Sequence, residues 1–232
     1  MKMFFGRGES LPVSRPTDVR DNLREDRRYQ YQDGYSMAEA AKSWIAADDA
    51  LPPTIASIVG SAELESAHFE FSTRVWGGGL AMTDVMAFLP NGVIAVEAKS
   101  EESFDDLVSV WINRNERSNP ASPPHRRKVV ERYADAFGVQ FDDLLKMRYQ
   151  LLQRTLCAAL TAHDEKRSQS WMIVQSFAAA DSEGHRRNRG DFDDFVQLAG
   201  NAPVIQSTRV QICWTDNAKS PSEPACRRNA TV

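Results

Sequence analysis

Three charged side chains sit inside two apolar runs near the middle of the chain. The run Met82 to Leu89 carries Asp84, and the run Val93 to Lys99 ends in Glu97-Ala98-Lys99. Burying a charge is costly unless it is paired or holds a metal ion, so residues of these types in this setting ask for a chemical reason. Two carboxylates that converge on one cation, with an ammonium group beside them, suit phosphodiester hydrolysis.

Convergence depends on how the runs are joined. Asn91-Gly92 between them is a strong hairpin signal, because both central residues of a type I′ turn need positive φ. With Asn91 and Gly92 as the two-residue loop, Pro90 faces Val93, Met86 faces Glu97 and Asp84 faces Lys99. Opposed residues share a face of a sheet, as do residues two apart on one strand, so Asp84, Glu97 and Lys99 project from one side. Asp84 and Glu97 are then diagonal neighbours, roughly 7–8 Å apart at the backbone. A three-residue loop would shift the register by one and throw Asp84 to the other face.

Other catalytic classes have little support. Cys157, Cys213 and Cys226 are odd in number and spaced for neither a zinc knuckle nor a disulfide framework. His68, His125, His163 and His185 are scattered, and there is neither a nucleophile elbow nor a Walker loop. Gly77-Gly78-Gly79 precedes a strand rather than a helix, the wrong context for a phosphate cradle. A net charge of −4 argues against coating nucleic acid through bulk charge, which leaves local clusters. These are the loop from Arg114 to Arg132 and the run His185-Arg186-Arg187-Asn188-Arg189.

The chain of 232 residues, 42% hydrophobic and 26% charged, is long enough for one α/β domain with a substantial core. Its longest apolar runs, near Leu156 to Leu160 and Met172 to Val174, are too short to span a bilayer. The N-terminus lacks the apolar core of a signal peptide, so a cytoplasmic location is expected. Residues 1–35 have no clean period and read as an N-terminal arm or loops. Residues 36–215 read as the domain, and 216–232 as a disordered tail.

Within the domain, helices are predicted from Ser36 to Ala47 and from Thr54 to about Ser61. Strands follow over His68 to Trp76 and in the two hairpin runs. Further helices are predicted from Ser103 to about Ile112, over Arg127 to Phe137, and over Asp142 to Ala162, the longest. A buried strand over Trp171 to Phe177, a short helix from Asp191 to Leu198 and a strand near Val210 to Trp214 complete the order. On the long helix Gln150, Gln153, Arg154 and Cys157 form one stripe.

In their order and spacing these residues resemble the restriction-endonuclease-like PD-(D/E)XK phosphodiesterase superfamily. The words that carry the likeness are Thr83-Asp84-Val85 after Gly77-Gly78-Gly79, Val96-Glu97-Ala98-Lys99-Ser100-Glu101-Glu102-Ser103-Phe104, and Arg148-Tyr149-Gln150-Leu151-Leu152-Gln153-Arg154. They look like an uncharacterised bacterial branch, with the likeness running from about Pro53 to Trp214. One departure is Thr83 in place of the proline that gives the motif its first letter, although members of the superfamily often lack that proline. The resemblance implies an α/β fold with an αβββαβ core, a central mixed sheet flanked by helices.

It also implies Mg²⁺, or Mn²⁺ in its place, bound by Asp84, Glu97 and the Ala98 carbonyl, with Lys99 orienting water or stabilising the pentacoordinate charge. Because lysine is mostly protonated at neutral pH, charge stabilisation is favoured. Glu63, Glu65 and Glu70 are candidates for an extra metal-linked acid, with Glu65 or Glu70 preferred. Gln150 would touch a metal water and Arg154 a phosphate, with Arg126 and Arg127 as further substrate contacts. The implied substrate is nucleic acid, DNA rather than RNA, and a homodimer would let both strands be cut. Trp76 and Trp111 are weaker candidates for stacking bases.

Blander readings stand beside these. Asp84 and Lys99 could form a cross-strand ion pair with Glu97 solvated at a strand end. The fold could equally carry a catalytically silent binding or partner module, or a small-molecule hydrolase with a closed apolar pocket.

Overall fold

The computed structural model describes residues 2–8, 11–60, 63–76, 79–114 and 123–217. Gly77 and Gly78, Arg117 in the basic loop, Cys226 and nearly all of the expected tail lie outside these residues. Strands are β1 (Met3–Phe5), β2 (Ser66–Arg74), β3 (Leu80–Leu89), β4 (Gly92–Lys99), β5 (Gln169–Ser176), β6 (Val204–Ile205) and β7 (Thr208–Asp216). Helices are α1 (Pro16–Asn22), α2 (Ser36–Ala46), α3 (Pro53–Val59), α4 (Val108–Asn113), α5 (Pro123–Phe137), α6 (Phe141–Leu144), α7 (Tyr149–Asp164) and α8 (Glu183–Ala199). The strands form one sheet in the order β1-β2-β3-β4-β5-β7-β6. Pairing is antiparallel through β2-β3-β4 and parallel through β4-β5-β7, so the expected α/β class with a mixed sheet is present.

Both faces of the sheet are buried, and alternation along β4 divides its side chains between two cores. Val93 and Ala95 pack with Leu152, Leu156 and Ala159 of α7, while Ile94, Val96 and Ala98 pack in the core that contains Trp44 of α2 and Ile55 of α3. Burial on both faces explains why β4 reads as a nearly continuous apolar run.

The hairpin turn differs from expectation. Leu89 pairs with Gly92 and Val85 with Val96, so the two-residue loop is Pro90-Asn91. Neither Asn91 nor Gly92 has positive φ. Proline pre-sets the first turn position, and Gly92 serves another purpose. A Cβ there would meet Cζ3 of Trp171, on β5, at 2.6 Å. The register moves by two relative to expectation, and because side chains alternate with period two, the face is unchanged.

The described part of residues 2–35, expected as an arm or loops, packs against the sheet. β1 pairs with β2 in parallel, Met3 against Ala67, and Val13 and Val19 are buried in the α2 core. Elements this short have no measurable period; their pairing partners some sixty residues away stabilise them.

The helix expected over Asp142 to Ala162 is broken. Residues 145–148 bond instead to the chain around α4: Val108 N–H donates to the Met147 carbonyl and Tyr149 N–H to the Asp106 carbonyl. The same contacts delay the helix expected at Ser103, which begins at Val108. α8 begins earlier than expected because Ser182 caps it, its Oγ accepting the His185 N–H at 3.1 Å.

The turn yields a test. Gly92→Ala forces the Trp171 ring to move and should cost about 1–3 kcal/mol by chemical denaturation. Gly79→Ala, where a Cβ meets nothing within 4 Å, should stay within about 0.5 kcal/mol of the parent. Equal stability of the two variants would contradict the packing role assigned to Gly92.

Candidate functional site

The β2-β3 register brackets Glu70: Phe69 pairs with Val85 and Phe71 with Thr83, leaving Glu70 opposite Asp84. Continuing the β3-β4 register past Val85–Val96 leaves Asp84 opposite Glu97. Three acids therefore stand in a row across three adjacent strands. Lys99, two residues beyond Glu97, shares its face. All four line one cleft of about 390 Å³, together with Gln150, Glu102, Arg27, Tyr29 and Tyr35.

Glu70 has an unusual backbone, with φ of 51° inside a strand. A non-glycine residue in this left-handed region costs on the order of 1–3 kcal/mol and persists only where its surroundings enforce it. The kink inverts the alternation of β2. Ala67 and Phe69 pack in the α2 core, whereas Phe71 and Val75 pack in the α7 core. His68 and Phe71, three apart, consequently share a face and touch each other and Phe88.

Each acid has its own electrostatic partner. Glu97, only 1% exposed, is bracketed by Lys99 Nζ at 2.9 Å on Oε1 and Arg154 Nε at 2.5 Å on Oε2. Burial works against its charge, but Lys99 and Arg154 outweigh it and hold the carboxyl below its usual range. Glu70 receives a bidentate contact from Arg27, at 2.7 and 3.2 Å. Asp84 pairs with no such cation among the described residues, and its Oδ2 accepts the Ala98 N–H at 2.8 Å. Burial, then the neighbouring Glu97 charge, push Asp84 up to about 8. Among the described residues no group of three or more His, Cys, Asp or Glu side chains is already arranged to hold a metal ion.

These contacts exclude one of the blander readings. Lys99 pairs with Glu97 rather than Asp84, and Glu97 is buried rather than solvated.

The segment after Lys99 is held by α8. Arg187 and Asn188 donate to the Glu101 and Glu102 carbonyls at 2.6 and 2.8 Å. Gly184 lets the helix approach so closely that a Cβ there would lie 2.8 Å from Glu101 Cα. The basic run of residues 185–189 is thus largely an internal brace: Arg189 pairs with Asp193, and His185 with Asp216.

Of the remaining sequence candidates, Glu70 and Gln150 reach the cleft and Glu65 does not. Glu65 pairs with Arg167, whose Nη1 donates to the Pro90 carbonyl beside the hairpin turn. Gln150 accepts the Asp105 N–H at 3.1 Å through Oε1. Arg154 is buried behind Glu97 rather than offered to a phosphate. Arg126 is buried on the Trp111 and Arg114 carbonyls, and Arg127 pairs with Glu131 over the Phe141 ring. Trp111 stacks on Tyr149 at 3.9 Å and Trp76 packs beside Tyr133, so neither is a free platform. Sequence reading missed Arg27, Tyr29 and Tyr35. The Arg- and Tyr-rich composition of residues 20–35 was their only trace.

Asp84 gives the fold a pH dependence with a defined sign. Its carboxyl binds a proton more tightly when folded, so its contribution is complete below the ordinary carboxylate range near 4 and is lost as pH rises to about 8. Asp84→Asn keeps an oxygen for the Ala98 N–H and removes the titration. In EDTA the variant should gain most in Tm over the parent at pH 8 and least at pH 4. The same difference at both pH values would contradict this reading.

No helix among the described residues is long and apolar enough to cross a membrane. Comparison with curated proteins and with solved structures returned no match. A family profile described as a domain of unknown function, DUF6946, matches residues 12–219, which include the acid row, Lys99 and the wall that carries Arg27. On the extent of that match, the chain belongs to the DUF6946 family.

Proposed function

We propose that the chain is a metal-dependent, nuclease-like phosphodiesterase of the PD-(D/E)XK type that hydrolyses nucleic acid, DNA in preference to RNA. One observation carries this reading: Asp84, Glu97 and Lys99 meet on the floor of a single cleft with a third acid, Glu70, beside them. The donor chemistry fits a hard divalent cation, since carboxylates and a backbone carbonyl are the ligands that Mg²⁺ and Mn²⁺ prefer. The proton that Asp84 holds to about pH 8 is what a carboxyl does when buried near another acid with no cation of its own. Asp84, Glu97 and the Ala98 carbonyl would hold the ion, with Glu70 a further acid on the neighbouring strand.

When bound, such an ion polarises a phosphoryl oxygen and lowers the pKa of water. Lys99, fixed by Glu97 and lying 5.2 Å over the Phe104 ring, supplies a positive charge at the floor, where charge develops as water attacks phosphorus. Arg154 keeps Glu97 ionised and in place from behind, which makes it a positioning residue. Gln150 projects into the same cleft and is within reach of water or substrate.

A second reading is a silent binding module on the same fold. It is favoured by one contact set, because both Glu97 oxygens already have cationic partners.

A cleavage assay separates the two. Nucleic acids should be cut with Mg²⁺ or Mn²⁺ and not with EDTA. Asp84→Asn and Lys99→Ala should each lose at least about 10²-fold in rate. Cleavage that survives EDTA, or equal activity in all three proteins, would refute the mechanism, and inactivity of the parent on every substrate would favour the silent module.

A further inference from the structure

We infer that the cleft takes an unpaired strand of DNA, with Tyr29 and Tyr35 stacking on its bases; this rests on the reading of the cleft as a nucleic-acid site. The chain has five tyrosines. Tyr133 and Tyr149 are buried, and Tyr31 is partly buried with its hydroxyl on the Pro16 carbonyl at 2.5 Å. Tyr29 and Tyr35 are 65% and 48% exposed, and both line the cleft that holds the acid row. Part of each side chain is therefore at the surface, in the same cleft as Lys99.

The shape of the cleft points the same way. Its lining joins the sheet, through Glu70, Asp84, Glu97 and Lys99, to the segment carrying Leu23, Arg27, Tyr29 and Tyr35. A volume of about 390 Å³ lies at the small end of the range for ligand pockets and suits a nucleotide with its neighbours splayed out. A paired duplex cannot enter a space of that size, whereas one unpaired nucleotide can.

Charge supports this choice as well. Duplex binding usually relies on several phosphate contacts by lysine and arginine. Here Arg127, Arg187 and Arg189 are engaged with Glu131, the Glu101 carbonyl and Asp193, Arg126 is buried, and the chain is net negative. Stacking on aromatic faces is tolerant of sequence and adds affinity base by base where such contacts are few.

The test combines binding with turnover in the full chain. Anisotropy of a labelled oligo-dT strand and of a matched duplex is measured on the Asp84→Asn background, and cleavage of both is measured in Mg²⁺ with Asp84 present. The single strand should bind more tightly than the duplex. Tyr29→Ala and Tyr35→Ala should each weaken it about 5- to 100-fold, and Tyr→Phe should restore it. Cleavage of the single strand should show the Tyr→Ala loss in KM, with kcat little changed.

Cleavage of duplex at least as efficient as single strand, indifferent to both tyrosines, would overturn the inference and leave the nuclease reading standing. Tyrosine-dependent binding of the single strand without cleavage would uphold the inference and defeat the nuclease reading. Absence of both binding and cleavage would overturn both. A Tyr→Ala loss that Tyr→Phe does not restore would assign the hydroxyls, not stacking, and so also overturn the inference.

Discussion

Near the centre of the sheet a carboxylate is buried between two cations, and much of the molecule is arranged around that fact. Removing Glu97, Lys99 and Arg154 from water costs several kcal/mol per ion, and the attraction among them offsets this only with good geometry. The geometry comes from three elements at once. β4 supplies Glu97 and Lys99 on one face, α7 supplies Arg154 from behind, and α8 pins the chain just after Lys99 through Arg187 and Asn188. Loss of either cation would leave a buried charge short of a partner, a mechanism that typically costs about 3–5 kcal/mol.

Around this triad the acid row is deliberately unequal. Glu70 and Glu97 each have guanidinium or ammonium partners, while Asp84 between them has a backbone N–H and a raised pKa. The backbone at Glu70 adopts a conformation that opposes its own preference, and a bidentate contact from Arg27 meets it there. Strain of this kind concentrates at functional sites. The N-terminal segment thus does more than pad the sheet: it contributes one charge to the row and two tyrosines to the lining of the same cleft.

Parts of this arrangement were legible in the sequence for physical reasons that can be named. Alternation with period two is robust to an even error in register, so Asp84, Glu97 and Lys99 share a face although the turn is Pro90-Asn91 and not Asn91-Gly92. Long periodic segments such as α7, and apolar runs such as β4 and β5, announce themselves because burial dictates their composition. What was hidden depends on contacts distant in sequence. The glycine of the turn answers to Trp171, the break before α7 answers to the chain around α4, and the packing of the described part of residues 2–35 answers to β2 and the α2 core. Arg126 and Arg127 read as a basic patch, yet burial of one and pairing of the other turn them to structural use.

A divalent cation held at the acid row through Asp84 is the proposal on which the nuclease reading depends. Calorimetric titration of Mn²⁺ and Mg²⁺ into the metal-free protein, beside Asp84→Asn, tests it without any assumption about substrate. The account predicts one site per chain in the parent and its loss in the variant. No binding in the parent, or equal binding in the two proteins, would contradict it.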